Sequence, residues 1–189
     1  MRRHKNLFEK IISFQNLLSA SMRAQKGKRF KKATLKFNFQ LENELWTLHR
    51  ELINDTYQPG QYRNFTIYEP KKRLISAAPY RDRVVHHAIH NILEPVFEPT
   101  FIHDSYATRK GKGTHAAINR FQNFSYKNKY VLKCDIRQYF PSIRREILLA
   151  LIERKVSCSK TMNLIQKIVN APMANNLHSQ PASSRNPYR

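Results

Sequence analysis

The chain of 189 residues carries 34 Lys and Arg residues against 13 Asp and Glu residues, a formal net charge of +21 at pH 7. Hydrophobic residues make up 41% and aromatic residues 11%, which excludes a disordered polycation and allows one domain with a core. Such a charge predicts a polyanionic partner, and nucleic acid fits better than anionic lipid or a ribosomal environment.

Neither the N-terminus nor any internal segment has the pattern of a targeting or membrane segment. No apolar run approaches the ~20 residues needed to span a bilayer, and no signal peptide opens the sequence, so we expect a cytoplasmic protein. Cys134 and Cys158 lack metal-ligand spacing and a disulfide framework. We therefore expect both to be reduced thiols in the core.

The N-terminal third is predicted to be helical and basic. Apolar residues recur at helical spacing from Leu7 to Leu18, and a leucine stripe from Leu41 to Leu52 predicts another core helix. Between them lies a segment rich in Lys and Arg, in which Gly27 is expected to end the first helix. This segment is either a solvated loop or a phosphate contact, and the candidates for that contact are Lys26, Lys28 and Arg29.

A turn, a hairpin and a third helix follow. In the turn, Gly60 is expected to take a positive φ. Residues 62–68 and 73–77 alternate as two strands with a basic tip between them, and a helix from Tyr80 is expected to end at Glu94-Pro95. Asp82, in the first turn of that helix, is interpreted as a helix cap or as the partner of a cation.

Residues 105–117 form a loop rich in glycine and positive charge. Gly111 and Gly113 allow close approach of the backbone to a partner, and Thr114 is expected to cap a helix that runs to about residue 126. Positive charge comes from Arg109, Lys110 and Lys112. Exposed amides at a helix start can bind an anion, although the spacing of a Walker loop is absent.

The stretch from residue 129 to 143 combines a carboxylate with strong β-formers. Its apolar residues around Asp135 predict a buried strand that ends with this side chain facing a cleft. Phe140 follows five residues later, and Pro141-Ser142 is expected to open a helix. Asp135 is then a candidate ligand, with a helix cap or a surface acid as the alternatives.

These blocks, taken in order, resemble the fingers and palm of bacterial reverse transcriptases, which are RNA-directed DNA polymerases. The resemblance covers about residues 1–156. The N-terminal Arg3–Phe8, Asn16–Leu18 and Gly27–Arg29 more narrowly resemble the reverse transcriptases of diversity-generating retroelements, with retron-like and group II intron-like enzymes as alternatives. The blocks that carry the broader resemblance are Glu69–Ala77, Pro79–His86, Ile92–Pro95, Asp104–Ala107, Gly111–His115 and the Asp135 stretch.

The resemblance implies an α+β fold, namely the fingers and partial palm of a right-hand polymerase that lacks the second catalytic hairpin and the thumb. It divides the chain into an N-terminal helical and basic segment (1–56), fingers (57–128), the start of the palm with the first catalytic motif (129–156) and an atypical tail (157–189). One short helix is expected near residues 164–169, and the rest of the tail is expected to be disordered.

The resemblance also implies roles for individual residues. Asp135 would be the catalytic ligand of magnesium (Mg²⁺), assisted by the backbone carbonyl of Ile136, and Phe140 would lie under the sugar of the incoming nucleotide. Arg73 and Lys71 would bind the triphosphate of the dNTP. An RNA template and a DNA primer would contact the basic residues, although Arg109 could equally brace the fold; a small basic accessory protein is a further expected partner. The basic residues are Arg109, Lys110, Lys112, Lys26, Lys28 and Arg29.

The sequence departs from the family in one important respect. The family's second acidic motif, an aromatic-x-Asp-Asp hairpin, is absent, and no Asp or Glu follows Glu153. One carboxylate cannot hold two divalent ions, so we predict that these residues alone do not polymerise, and we interpret the tail as the product of a truncation or a frameshift. The missing strands would leave an apolar edge exposed, which predicts low solubility or association. The alternative is a non-catalytic basic RNA/DNA-binding protein.

Overall fold

The computed structural model of the protein describes residues 3–171. Its elements combine helices with one antiparallel two-stranded sheet, an α+β arrangement. The helices are α1 (Leu7–Ile12), α2 (Phe14–Ala24), α3 (Lys32–Phe39), α4 (Leu41–Ile53), α5 (Tyr80–Phe97), α6 (Thr114–Ser125), α7 (Tyr139–Ser142), α8 (Arg145–Glu153) and α9 (Ser159–Val169). The strands are β1 (Arg63–Ile67) and β2 (Arg73–Ala77), and a 3-10 turn covers Glu98–Thr100.

Helices α1–α5 and α9 pack around one core and are called the helical body below. The predicted leucine stripe is confirmed in α4, which buries Leu45 and Leu48 completely. Each large apolar side chain buried in this way stabilises the fold by about 1.5–3 kcal/mol. The other fully buried aliphatic side chains of the core are Ile11, Ile12, Leu17, Val84, Val85 and Val156.

Helices α2 and α5 are joined by specific polar contacts as well as by apolar packing. The Tyr80 hydroxyl donates to the carbonyl of Ser21 at 3.2 Å, and the Asn16 amide donates to the carbonyl of Ala88 at 3.0 Å. Asn91 in turn donates to the Asn16 side chain at 2.9 Å. These bonds fix the register of the two helices, which matters for the charged residues that they carry.

The first and last described segments meet and close the helical body. His4 forms a parallel bridge with Val156, and the amide of Ser157 donates to the carbonyl of His4 at 3.0 Å. At the other end of α9, the Lys167 ammonium lies 2.6 Å from the Asp55 carboxylate. Helix α9 is thus part of the core, although it lies in the segment predicted to be an atypical tail.

The structure differs from the tail prediction at residues 159–163, because α9 begins at Ser159 and buries four side chains against the body. The short helix expected near residues 164–169 is confirmed and begins earlier than predicted. Residues 172–189, on which the rest of the tail prediction falls, lie outside the described residues. The buried side chains of α9 are Thr161, Met162, Leu164 and Ile165.

Three predicted helix boundaries are wrong. The helix expected from Leu7 to Leu18 is divided into α1 and α2 at Ser13, whose hydroxyl accepts from the amide of Asn16 at 3.4 Å and starts a new helix. Helix α5 continues through Pro95 to its last residue, because proline removes only its own amide donor. Pro141 lies inside α7, and α8 begins four residues later.

The predicted hairpin is confirmed by the pairing of β1 with β2, in which Arg63 faces Ala77 and Ile67 faces Arg73. Both strands are largely exposed. Within the described range, no helix is both long and apolar enough to cross a membrane.

The buried strand predicted before Asp135 does not form. Residues 129–136 form no regular secondary structure and have no ladder partner, and Leu132 is 87% exposed. A β-forming segment is buried only when neighbouring strands cover it, and the sheet of the described residues contains only β1 and β2. The same exposure makes Cys134 a surface thiol, so the core-thiol prediction is wrong for it, whereas Cys158 is half-buried.

The exposed apolar edge predicted beside the Asp135 strand is not a strand edge, because that strand does not form, but apolar side chains are exposed throughout this region. We call residues 98–152 the distal segment; none of its residues is fully buried. A surface this apolar is typical of a region that contacts another polypeptide. The large apolar side chains exposed between α6 and α8 are Ile118, Phe121, Phe124, Tyr126, Tyr130, Val131, Leu132, Ile136, Tyr139, Phe140, Ile143, Ile147, Leu148 and Leu151.

Candidate nucleic-acid interface and acidic motif

The β1–β2 hairpin presents its basic residues to solvent. Lys71 lies in the turn between the strands and Arg73 opens β2, and both side chains are exposed. Within the described residues neither has a carboxylate partner. Their charges are therefore exposed to solvent, and the predicted contact with a triphosphate stays a prediction.

A buried carboxylate holds the base of this hairpin. Asp82, at the start of α5, accepts a bond from the Tyr57 hydroxyl at 2.9 Å and from the amide of Gly60 at 2.8 Å. Burial, reinforced by the adjacent carboxylate, raises the pKa of Tyr57 far above its usual value, so the phenol stays protonated and donates. Asp82 is thus neither a helix cap nor the partner of a cation, and its role is to position the segment before β1.

Gly60 is required in this segment for space and not for its φ angle. Gly60 does not have the predicted positive φ; among the described glycines, Gly27, Gly111 and Gly113 have one. A Cβ at position 60 would instead lie 3.0 Å from Cγ of Pro79 and 3.4 Å from the Asp82 carboxylate. The close approach of backbone to carboxylate explains the glycine.

Arg109 is held inside its own loop. Its guanidinium forms a paired contact with the Glu98 carboxylate at 2.7 and 2.8 Å, and donates to the carbonyls of Ile102 and Ser105. Only 12% of the side chain is exposed. The structure therefore shows the bracing contact that the sequence left open as an alternative to template binding.

The rest of the glycine-rich loop is more open. Gly111 and Gly113 have φ angles of 71° and 117°, and a Cβ at either position would meet nothing within 4 Å. Gly113 occupies the cap position of α6, so the predicted capping role of Thr114 is wrong. Lys110 is exposed, whereas the Lys112 ammonium donates to the carbonyl of His103 at 2.6 Å.

Asp104 links this loop to α6, a role that the sequence did not reveal. Its carboxylate accepts from the Arg120 guanidinium at 2.9 and 3.3 Å and from the Tyr106 hydroxyl at 2.9 Å. Hydrogen bonding to Arg120, and then to Tyr106, lowers the pKa of Asp104 well below its usual range. The signal in the sequence was an acidic residue within a basic loop, because such a carboxylate is expected to pair with a nearby cation.

The basic turn between α2 and α3 is exposed. Lys26, Lys28 and Arg29 all project to solvent, and Gly27 takes the positive φ of 69° that lets the chain leave α2. Lys26 and Arg29 line a concave surface together with Arg23. The predicted phosphate-contact residues thus lie on one surface of the helical body.

Asp135 is exposed in the irregular stretch of the distal segment that precedes α7. No hydrogen bond or ion pair joins its carboxylate to another side chain in the described part of the chain. Ile136 is 63% exposed beside it, and Phe140 is 82% exposed with its ring 5.3 Å from that of Tyr139. The structure therefore brings none of the predicted nucleotide-binding residues into contact with Asp135.

The residues present do not fit a magnesium site. Across residues 3–171, no group of three or more His, Cys, Asp or Glu side chains could hold a metal ion. A pair of divalent ions needs two or three carboxylates to offset their mutual repulsion, and Asp135 supplies one. Within residues 3–171, Asp135 therefore supplies one of the carboxylates that such a pair of ions would need.

Comparisons with known proteins identify the family. The profile of the reverse transcriptase (RNA-dependent DNA polymerase) family matches residues 63–187, about two thirds of the chain. This match extends beyond residue 156, where the sequence resemblance was expected to end. It includes the hairpin, α5, the glycine-rich loop, Asp135 and α9.

Individual relatives agree with this match. Protein YkfC of Escherichia coli is 28% identical over 141 residues, which cover 70% of this chain and 36% of YkfC. Group II intron-encoded protein LtrA of Lactococcus lactis is 26% identical over 133 residues, covering 69% of this chain and 22% of LtrA. Nuclear intron maturase 2 of Arabidopsis thaliana is 27% identical over 150 residues, which cover 70% of this chain and 20% of the maturase.

The chain spans about a third of the length of YkfC and about a fifth of the length of LtrA. The names of two of these relatives refer to introns, and the narrower resemblance to diversity-generating retroelements stays a prediction. Because the family profile matches well over half of the chain, the conclusion about the family is direct. The chain belongs to the reverse transcriptase family.

Proposed function

We propose that this chain contributes the nucleic-acid-binding fingers (57–128) and the first acidic motif (129–156) to an RNA-directed DNA polymerase. In the complete enzyme, an RNA template and a DNA primer would direct DNA synthesis from dNTPs, in the cytoplasm and without a membrane. The observation that carries the proposal is the match of the family profile to a chain whose exposed hairpin cations, Lys71 and Arg73, have no acidic partner among the described residues.

The two exposed basic surfaces have different proposed roles. Lys71 and Arg73 on the hairpin would offset the charge of the dNTP triphosphate, as guanidinium and ammonium groups do for phosphates elsewhere. Lys26, Lys28 and Arg29 would contact the nucleic-acid backbone, with Lys110 as a further contact. Arg109 has a different role, because its donors are already used by Glu98 and by two carbonyls.

We further propose that residues 1–189 do not polymerise without additional carboxylates. Asp135 would supply one of the ligands that two Mg²⁺ ions require, and Ile136 would supply a backbone carbonyl. Mg²⁺ stabilises the attacking and leaving oxygens of phosphoryl transfer when it is bound. Asp135 would then hold one edge of the metal site, and Phe140 would contact the sugar of the incoming nucleotide.

A non-catalytic RNA/DNA-binding protein is the second candidate function. The solitary, exposed Asp135 favours it, because nothing in the described residues prepares this carboxylate for chemistry. Such a protein would use the basic turn and the hairpin alone. Both candidates require nucleic-acid binding. They differ in DNA synthesis, because only the polymerase candidate is expected to synthesise DNA once the additional carboxylates are present.

The first test is binding of a fluorescent RNA–DNA hybrid, followed by anisotropy over a series of salt concentrations. If about six to eight cations meet phosphates, the log–log slope of affinity against salt is expected to be roughly −5 to −7. The double variant Lys26→Gln/Lys28→Gln should weaken binding and reduce this slope by about 2. Lys10→Gln, an exposed charge on α1, is the matched control and should leave both nearly unchanged.

Primer extension on an RNA template with Mg²⁺ and dNTPs then separates binding from catalysis. The chain is expected to bind the hybrid without incorporating nucleotides. Incorporation that disappears in Asp135→Ala would contradict the proposed incompleteness of the site. Absence of nucleic-acid binding at low salt would overturn the proposed function itself.

A further inference from the structure

Charged residues of α2, of the turn that follows it and of α5 lie near one another on the helical body. We propose that this surface is a second phosphate-binding site for the nucleic-acid backbone and that His87 takes up a proton from solution when phosphate binds. The inference rests on the proposed nucleic-acid function and goes beyond it. We call this the α2–α5 basic surface; it comprises Arg23, Lys26, Lys28, Arg29, Arg83, His87 and His90.

The geometry of the surface is fixed by the contacts between the two helices. The bonds from Tyr80 to Ser21 and from Asn16 to Ala88 hold the helices in one register. In that register, the Arg23 guanidinium at the end of α2 lies 3.9 Å from the Glu94 carboxylate on α5. His90 Nδ1 lies 3.6 Å from the same carboxylate, so residues from both helices converge there.

The surface carries an unbalanced positive charge. Arg23, Lys26, Lys28, Arg29 and Arg83 contribute five cations, and Glu94 is the one carboxylate that contacts any of them in the described chain. Arg23 also lines a concave surface with Lys26 and Arg29, so these charges border a recess and do not point away from one another. Such a recess favours a polyanion over a single small anion.

Arg83 provides an independent sign that a partner is missing. Its Nε is buried without a hydrogen-bond partner, and its guanidinium lies over the Tyr80 ring at 5.7 Å. Within residues 3–171 it contacts no carboxylate. A buried donor without an acceptor is costly, and a phosphate oxygen is the kind of acceptor that a guanidinium binds well.

The histidines make this site responsive to pH. Burial lowers the pKa of His87, and the nearby charges of His90, Arg23, Lys28 and Arg83 lower it further. The Glu94 carboxylate lies beside His90. The pKa of the neighbouring His86 is lowered mainly by burial, and the charge of Asp82 raises it in part. His87 is therefore neutral near pH 7 in the free protein.

A bound phosphate reverses the electrostatic part of this shift. Its negative charge offsets the cations around His87, so the pKa of the imidazole rises and a proton is taken up from solution. By linkage, affinity for phosphate then increases as the pH falls below 7. An increase of about one pKa unit on binding corresponds to a gain of about tenfold in affinity at low pH.

The test is anisotropy of a labelled oligouridylate of about 20 nucleotides, whose bases do not titrate in this range, at constant ionic strength. Between pH 8 and pH 5.5, binding by the unmodified chain is expected to tighten about tenfold. His87→Gln/His90→Gln should reduce this gain to less than about threefold. His4→Gln is the matched control, because it removes a histidine from another part of the body and should retain the full gain.

Proton uptake can also be followed at the histidine itself. The pKa of His87, measured by NMR, is expected to rise when oligouridylate is added. Equal pH dependence in the double variant, or an unchanged pKa of His87 in the complex, would overturn the inference and leave the proposed function intact. Tighter binding to vesicles of anionic lipid than to oligouridylate would assign the surface to a membrane and also overturn it.

Discussion

The helical body and the distal segment both contain many apolar side chains, but the body buries them and the distal segment exposes them. In the body, residues such as Leu48 and Val84 are completely buried. In the distal segment, Leu132 is 87% exposed and no residue is fully buried. Apolar patterning therefore specifies which face of an element can be buried, whereas burial itself depends on neighbours that cover this face.

The two regions also differ in how their polar residues are used. Asp82 in the body accepts from Tyr57 and Gly60 and is buried, so it fixes one arrangement of the chain before β1. Asp104 in the distal segment forms a comparable set of bonds but remains at the surface. Similar hydrogen-bond patterns thus have different energetic weight, because water competes with the second set and not with the first.

The largest expected difference in stability between the two regions appears when one leucine in each region is shortened. Leu48→Ala should lower the free energy of unfolding by about 2–5 kcal/mol, because it leaves a cavity in the core. Leu132→Ala should change it by less than about 0.5 kcal/mol, because this side chain is already in water. Urea unfolding followed by the fluorescence of Trp46, which stacks on Phe14 at 4.7 Å, measures both.

A similar loss of stability in both variants would contradict the account, because it would mean that Leu132 is buried in solution. Association through the apolar surface, which the sequence predicts, is controlled for by repeating the measurement at several protein concentrations. A transition that is independent of concentration reports the helical body alone.

The next prediction compares the loss of the Asp82 carboxylate with the loss of the Asp104 carboxylate. Asp82→Ala leaves the Tyr57 hydroxyl and the Gly60 amide without an acceptor in a buried site, and it should cost about 1–3 kcal/mol. Asp104→Ala should leave the Trp46-detected transition unchanged, because its partners can turn to water. In the Asp82→Ala background, a further change of Tyr57→Phe should cost little more, since the bond is already lost.

Additive effects of Asp82→Ala and Tyr57→Phe would show that the two residues act separately, which would contradict the anchoring role given to Asp82. A double-mutant cycle by urea unfolding distinguishes the two outcomes.

The sequence predicts most of the body because local pattern and tertiary contact agree there. The leucines of α4 and the alternation of the hairpin strands lead directly to the observed elements. It predicts less where a single polar contact decides the outcome. Ser13 divides the first helix by accepting from Asn16, and no hydrophobic periodicity contains that information.

The candidate site shows the same limit. Exposure of Lys26, Lys28 and Arg29 follows from their position in a basic turn. The contacts of Arg109 with Glu98 and of Asp82 with Tyr57 join residues 11 and 25 positions apart, so they depend on how loops and helices meet. The strand expected before Asp135 fails for a related reason, because a strand requires partners that a one-dimensional pattern cannot provide.

Native-state hydrogen exchange tests the central contrast most directly. Amides in the middle of α2 and α5 are expected to exchange at rates set by global unfolding, whereas amides of residues 129–136 should exchange nearly as fast as in an unstructured peptide. Protection of residues 129–136 equal to that of α5 would contradict the account, because it would show a paired and buried strand leading to Asp135.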